Sequence, residues 1–156
     1  MDLLGPAPSL DPSLLIGLIA ALVFGALVGF ERQVRGHPAG LHANALVSLG
    51  AAAYVVSAMV IGDATGPARV AGQVVTGVGF LCAGVIIKRG LTIVGINTAA
   101  TVWCSSAIGV LAGLGLVLWA AALTALVLVG NFVLHYLEHW AVRRASRADS
   151  RPSAPG

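Results

Sequence analysis

Five long stretches of this sequence contain no charged residue, and they constrain its fold more than any other feature. They are Leu14 to Phe30, Ala43 to Ile61, Val70 to Ile87, Asn97 to Leu114 and Leu116 to Leu134. A helix needs roughly 17 to 25 mostly apolar residues to cross a hydrocarbon core about 30 Å thick, and each stretch is long enough. We therefore predict five transmembrane helices.

The composition agrees with a lipid environment. Hydrophobic residues make up 58% of the chain, charged residues only 10%, and the mean hydropathy is +0.93, which excludes an ordinary water-soluble domain. The stretches lack the polar alternation of barrel strands, so the predicted fold class is all-α, a polytopic membrane helix bundle. The predicted organisation is an external N-terminal segment over 1–13, a transmembrane domain over 14–136 and a basic disordered tail over 137–156.

The positions of the basic residues predict the orientation. With five spans, every basic residue except Arg69 falls on one side of the membrane: Arg32, Arg35, Lys88, Arg89, Arg143, Arg144, Arg147 and Arg151. Positive loops tend to remain cytoplasmic, so we expect the N-terminus outside and the C-terminus inside. The arginines of the tail are expected to lie against anionic lipid headgroups, and the bilayer, rather than nucleic acid, is the expected partner.

Small residues recur at positions that share one helix face. In the first span Gly17, Ala21, Gly25 and Gly29 are four residues apart, a spacing that lets helix backbones approach closely in a membrane. The glycines predicted to mediate helix packing are Gly17, Gly25, Gly29, Gly77, Gly79, Gly84 and Gly109. Plain packing explains each of them without any further function.

Polar residues within or next to the spans predict a polar seam in the bundle. Glu31 and Arg32 follow the first uncharged stretch directly and are expected to pair at the inner interface. The predicted seam comprises Glu31, Arg32, Asn44, Arg69, Gln73, Thr76, Asn97, Thr98, Thr101 and Ser105. Its residues can hydrogen-bond between helices, and spacing alone leaves open whether the seam also conducts a solute.

No cofactor and no metal are expected. Cys82 and Cys104 both fall within predicted spans, where buried thiols usually act as small packing residues. The stretch from His135 to His139 fits the H-x-x-E-H pattern of some zinc peptidases, with Glu138 between the histidines. It lies at the exit of the last span without an evident third ligand, and interfacial histidines commonly anchor helix ends.

Four motifs together give the chain a family resemblance. They are G-x-E-R-Q from Gly29, A-G-L-x-x-N-A-L from Ala39, P-x-R-x-A-x-Q-V-V-x-G-x-G-F-L from Pro67 and G-x-N-T-A-A-T-x-W from Gly95. In combination they closely resemble the MgtC/SapB family of bacterial inner-membrane proteins, over about Leu18 to Gly115.

The resemblance implies a multi-pass protein of the bacterial inner (plasma) membrane that is not an enzyme. Well-known members of that family are linked to virulence and to survival under magnesium limitation, and are thought to restrain the F-type ATP synthase through contacts within the membrane. The residues at the family's motif positions are Glu31, Arg32, Arg69, Gln73, Asn97, Thr98 and Thr101.

Two departures from the family pattern bear on function. An acidic residue often precedes the P-x-R segment, whereas this chain has Gly66 there, with Asp63 as the nearest carboxylate. A cation role for that acid is therefore in doubt. The better-known relatives also carry a soluble C-terminal domain, so this chain is expected to correspond to the membrane module alone.

The sequence is consistent with three candidate functions. A regulatory or accessory protein would dock onto a larger membrane complex, for which the F-type ATP synthase is the candidate implied by resemblance. A small transporter or channel would use the polar seam for a cation or polar solute, and it would require a homo-oligomer because five short helices rarely enclose a pore. A membrane zinc enzyme would use His135, Glu138 and His139. The regulatory function is favoured, because one carboxylate is too few for a divalent cation, which binds several oxygen ligands.

Overall fold

The computed structural model describes residues 11–62 and 64–149 and confirms the helical fold. The elements in chain order are α1 (Pro12–Val34), α2 (Leu41–Ile61), α3 (Gly66–Val85), β1 (Ile87–Arg89), β2 (Thr92–Val94), α4 (Ile96–Gly113) and α5 (Val117–Asp149). All five helices contain a segment long and apolar enough to cross a membrane, which in α5 is Val117–Leu134. The chain is therefore built as a multi-pass membrane protein.

A two-stranded hairpin between α3 and α4 was not predicted. Strands β1 and β2 pair antiparallel with Ile87 opposite Val94. The connection begins with Gly90, which has a φ of +62°, a conformation that favours glycine at the first position of a tight hairpin turn. The predicted span, which runs to Ile87, therefore ends two residues late, because α3 ends at Val85 and the chain becomes extended.

The backbone of residues 137–149, where the sequence predicts a disordered tail, continues α5 to Asp149 in this structure. The physical reason lies in local propensity: this segment is rich in alanine and arginine, which are strong helix formers, and has neither glycine nor proline. Residues 150–156, residues 1–10 of the predicted external segment 1–13, and Asp63 lie outside the described residues.

Helix α1 begins with a local cap. The Asp11 carboxylate accepts a hydrogen bond of 2.9 Å from the backbone N–H of Ser13, and Pro12 occupies the first turn. This arrangement satisfies a backbone donor that the helix itself leaves unpaired. The same hydrogen bond stabilises the ionised carboxylate and lowers the pKa of Asp11.

Helix α4 is the centre of the bundle and packs against the four other helices. Its span is 56% buried, whereas the spans of α3 and α5 are 17% and 11% buried. Ile108 and Ala112 of α4 join Ala21 and Val28 of α1 in one fully buried cluster. Helices α3 and α5 therefore leave most of their surface to the bilayer or to another protein.

Close backbone contacts hold α1, α2 and α4 together. A Cβ atom added at Gly17 would lie 2.5 Å from the carbonyl oxygen of Ala112, and one at Gly25 would lie 2.6 Å from that of Asn44. Gly29 has the same relation to the backbone at Gly40, and Gly109 is pressed against the carbonyl of Ser48. Since lipid supplies no hydrophobic drive for association, such close approach is what stabilises the bundle.

The packing prediction is not met at Gly77, Gly79 and Gly84 within the chain. A Cβ atom at any of these three positions would find no heavy atom within 4 Å among the described residues. Helix α3 instead packs against α2 and α4 through Val74, Val78 and Cys82.

Replacing Gly109 with alanine should destabilise the bundle. The new methyl group would meet the backbone of Ser48, which cannot rotate away, so we expect a loss of about 1–3 kcal/mol in the free energy of unfolding. The measurement is SDS-induced unfolding in mixed micelles. Gly84→Ala is the matched control and should cause no loss; equal losses in both variants would contradict the assigned packing.

The predicted orientation can be tested across α3, using Ala64→Cys and Arg89→Cys, at exposed positions before and after that helix. A membrane-impermeant maleimide should label Ala64→Cys in intact cells and Arg89→Cys only after permeabilisation, because basic loops remain inside. The unmodified chain serves as control for Cys82 and Cys104, which lie within spans. The reverse pattern would overturn the orientation.

Candidate functional site

A cavity of about 600 Å³ lies where the end of α1, the beginning of α4 and the later part of the α5 span come together. We call it the α1/α4/α5 cavity. Its wall includes Glu31, Arg32, Arg35, Asn97, Thr101 and Asn131. The volume is within the range of small-ligand sites. Polar groups from three helices thus converge at one end of the bundle, which is the inner end in the predicted orientation.

One wall of the cavity is an ion pair at the end of α1 that is hydrogen-bonded to α5. Glu31 Oε1 lies 2.8 Å from Arg35 Nε, and Glu31 Oε2 accepts a 3.2 Å hydrogen bond from the Asn131 side-chain amide. The Arg35 guanidinium also reaches the Asn131 carbonyl at 3.4 Å and lies 5.6 Å from the centre of the Phe132 ring. Each oxygen of the Glu31 carboxylate thus has a partner in this chain, an ion pair at Oε1 and a hydrogen bond at Oε2.

The predicted pairing of Glu31 with Arg32 is wrong. Adjacent residues on a helix point in different directions, whereas residues four apart lie one above the other. Because α1 continues to Val34, Glu31 pairs with Arg35, one turn further along. The contact between Glu31 Oε1 and Arg35 is an ion pair and lacks the alignment of a hydrogen bond.

Arg32 is left in an unusual setting. Its side chain is only 5% exposed, and one guanidinium nitrogen, Nη2, donates a 3.0 Å hydrogen bond to Thr98 Oγ1 of α4. The Nε atom is buried and has no hydrogen-bond partner, and among the described residues no carboxylate lies within ion-pair distance. A cationic group is thus buried at the cavity with a single neutral acceptor.

Asn44 and Ser105 form a separate hydrogen-bonded unit in the bundle interior. The Asn44 side chain is fully buried; its amide donates to the carbonyls of Ala39 and Gly40, and its oxygen accepts a 2.8 Å hydrogen bond from Ser105 Oγ. Ala39 has a φ of +54°, so the same amide stabilises an uncommon backbone conformation in the α1–α2 loop. This unit joins the loop, α2 and α4.

The remaining predicted seam residues do not form one continuous seam. Thr101 lines the cavity, and its hydroxyl donates to the carbonyl of Asn97 in its own helix at 2.9 Å. Arg69, Gln73 and Thr76 all lie on α3, away from the cavity wall, and all three are exposed. The seam therefore divides into the cavity, the Asn44 unit and a polar surface on α3.

That α3 surface borders a second concavity, of about 550 Å³, between α2 and α3. We call it the α2/α3 groove. Gly50 and Tyr54 of α2 and Gln73, Val74 and Gly77 of α3 are among its lining residues, and the lining is almost entirely apolar. Gln73 is the exception, since its amide is exposed to the groove within the membrane-spanning part of α3.

Sequence reasoning missed the role of Arg35 in the cavity; it suggested Asn131 for a hydrogen bond between helices but did not identify Glu31 as the partner. Arg35 was used only to predict orientation, although its position four residues after Glu31 is the signal for an i,i+4 pair. No sequence signal brings Asn131 to Glu31, since a hundred residues separate them. Their contact exists only because α5 packs beside α1.

The zinc hypothesis gains no support from the described residues, in which no three His, Cys, Asp or Glu side chains come together. The His135 to His139 segment lies within α5, but the side chains of His135, Glu138 and His139 lie outside those that the structure describes.

Comparison with known proteins agrees with the resemblance. The family model described as "MgtC family" matches residues 18–140. A protein named MgtC from Brucella abortus (strain 2308) is 49% identical over 134 residues, covering 83% of this chain and 56% of that protein. The protein MgtC of Salmonella typhimurium (strain LT2) is 49% identical over 120 residues, covering 77% of this chain and 52% of that protein. This chain thus spans about half the length of these relatives. No solved structure matches it.

The Asn44 unit predicts a contrast between two buried serines. Ser105→Ala removes the donor to Asn44 and should lower the free energy of unfolding by about 0.6–1.7 kcal/mol, the range for hydrogen bonds between membrane helices. Ser48→Ala is the control, because Ser48 is equally buried but its hydroxyl has no partner in the described part of the chain. Removing an unpaired buried hydroxyl should be neutral or stabilising. A larger loss in Ser48→Ala, measured by SDS unfolding, would contradict the assignment.

Proposed function

This chain belongs to the MgtC family, and we propose that it is a regulatory membrane protein that acts by docking a transmembrane helix of a larger complex into the α2/α3 groove. The F-type ATP synthase is the complex that the resemblance suggests, and adaptation to magnesium limitation is the proposed setting. We also propose the bacterial inner membrane as its location, with the α1/α4/α5 cavity on the cytoplasmic side.

The observation that carries the docking proposal is the exposed Gln73 amide. Gln73 lies seven residues after the start of α3, a rise of about 10 Å, well within the hydrocarbon depth of a spanning helix. Among the described residues, no hydrogen-bond partner serves this amide, whereas Thr76 beside it donates to the Gly72 carbonyl of its own helix. An unpaired amide in lipid costs free energy, and a neighbouring helix with a polar side chain would remove that cost.

The shape of the groove supports a helix as its occupant. Gly50 stands on one wall and Gly77 on the other, and a Cβ atom at either would meet nothing within 4 Å. Small residues on both walls allow another backbone to approach closely, which is how membrane helices associate. The occupant should accordingly present small residues and one hydrogen-bonding side chain toward Gln73.

The charges of the cavity argue against the alternative, a cation transporter. Arg32 and Arg35 both line the cavity, and Glu31, the one acidic side chain among the described lining residues, is already paired with Arg35. Magnesium requires several oxygen ligands in near-octahedral geometry and gives up water reluctantly. Two guanidinium groups at the wall would repel it.

Crosslinking can test the proposed docking face. A photoreactive amino acid at Gly77 in the groove should crosslink to a partner protein in intact cells, whereas one at Leu126, an exposed position of α5, should crosslink chiefly to lipid. Gln73→Leu should reduce the Gly77 crosslink roughly tenfold, which corresponds to about 1.4 kcal/mol of lost hydrogen bonding. Equal protein crosslinks from both positions would refute a specific groove.

The same variants can test the proposed partner. ATP-driven proton pumping in inverted membrane vesicles should be lower with the unmodified chain than in a deletion strain, and Gln73→Leu should restore it. Ser57→Ala, an exposed change on α2 whose hydroxyl bonds only its own helix, should behave like the unmodified chain. Pumping that is unchanged by the chain, together with a groove crosslink to a different protein, would reject the ATP synthase and retain the docking mode.

A further inference from the structure

Arg32 is a buried cation beside an open cavity, and no carboxylate of the described residues lies within ion-pair distance of it. Its side chain is 95% buried, it lines the α1/α4/α5 cavity, and its Nε atom lacks an acceptor. Burying a guanidinium is costly unless hydrogen bonds and an opposite charge compensate it. Thr98 supplies one neutral acceptor, and the carbonyl end of α1 supplies only a partial negative charge.

The described surroundings compensate this positive charge only in part. Among the described residues Glu31 is the one carboxylate on the wall; it attracts Arg32 from beyond ion-pair distance, while its direct contacts are with Arg35 and Asn131. The other contributions are positive or neutral: the Arg35 guanidinium, the His37 imidazole and the amino end of α4, which begins at Ile96 without a side-chain cap. Unpaired backbone N–H groups at such a helix end favour an anion.

We infer that the α1/α4/α5 cavity binds a phosphate group, with Arg32 as the principal contact. Guanidinium groups bind phosphate through two parallel hydrogen bonds, and the unmet donor capacity of Arg32 suits that mode. Asn97 lines the same cavity at the amino end of α4, where its amide can donate a further bond. The cavity volume of about 600 Å³ admits either a free phosphate ion or the headgroup of a phospholipid.

This inference is independent of docking at the α2/α3 groove, since it rests on different helices and residues. It also differs from the general attraction of basic loops to anionic membranes. Exposed cations such as Arg89 of the hairpin can contact lipid headgroups without any cavity, whereas Arg32 is enclosed. Phosphate binding in the cavity should therefore depend on the buried Arg32 rather than on the total charge of the protein.

Thermal unfolding of the full chain in an uncharged detergent can test the site. The probes are sodium phosphate, dihexanoyl phosphatidylglycerol and, as a phosphate-free control, dihexanoyl glycerol. A saturable rise in Tm with at least one phosphate probe, and none with dihexanoyl glycerol, is expected because a ligand of the folded state stabilises it. A response to inorganic phosphate identifies a free anion site, and a response to the lipid alone identifies a headgroup site. No saturable response to either would overturn the proposal.

Two variants and a control separate the site from bulk charge. Arg32→Gln should raise the apparent Kd roughly tenfold or more, the equivalent of losing one charge-assisted contact. Arg89→Gln removes the same charge from an exposed strand and should change it less than about twofold. Equal weakening by both would reject the site.

A further variant applies if Arg32→Gln does not fold. Ala100 lines the cavity from an exposed position on α4, so Ala100→Phe should fill the space without changing any charge. The phosphate response should disappear in Ala100→Phe while folding is kept. A phosphate response that persists undiminished in this variant would overturn the proposal.

Discussion

The contact between the α4 backbone at Gly109 and the α2 carbonyl at Ser48 is the constraint on which the rest of the structure depends. In a bilayer, apolar surface gains little by leaving lipid, so helices associate where their backbones can come close. Gly113 against Ala52 and Gly17 against Ala112 repeat that contact on the same central helix. With α4 held this way, Thr98 comes within reach of Arg32, and Ser105 within reach of Asn44.

Much of this architecture could be predicted from the sequence, because the bilayer requires long uncharged helices and these are visible as uncharged stretches in the chain. The four-residue spacing of Gly17, Ala21, Gly25 and Gly29 likewise indicates a close-packed face. Position 77 is also a glycine, but it faces open space among the described residues. A glycine in a membrane helix allows another backbone to approach closely, and the sequence does not indicate which helix that backbone belongs to. The orientation and the domain boundaries stay predictions.

The cavity was harder to predict, since its essential contacts depend on which helices are neighbours. Glu31 and Arg35 form a local pair that helical periodicity could have revealed. The bond from Asn131 to Glu31 and that from Arg32 to Thr98 join distant parts of the chain, and polar composition alone gave a single seam. The structure divides that seam because Asn97 and Thr101 face α5, while Val102, one residue further along α4, packs with the α3 residues Val74 and Val78.

The side-chain amides of Asn44 and Gln73 show that the same chemical group has different roles in a membrane protein according to its burial. The Asn44 side-chain amide donates to two loop carbonyls, and its oxygen accepts from Ser105. Asn44 therefore has little capacity to bind an outside partner and serves to stabilise the fold. Gln73 stands exposed within the membrane-spanning part of α3, where lipid offers no hydrogen bond. Arg32 resembles Gln73 in its unmet bonding capacity, but it is enclosed beside a polar cavity rather than exposed to an apolar groove. A partner for Gln73 must therefore arrive as a helix through the bilayer, whereas a partner for Arg32 must be small and negatively charged.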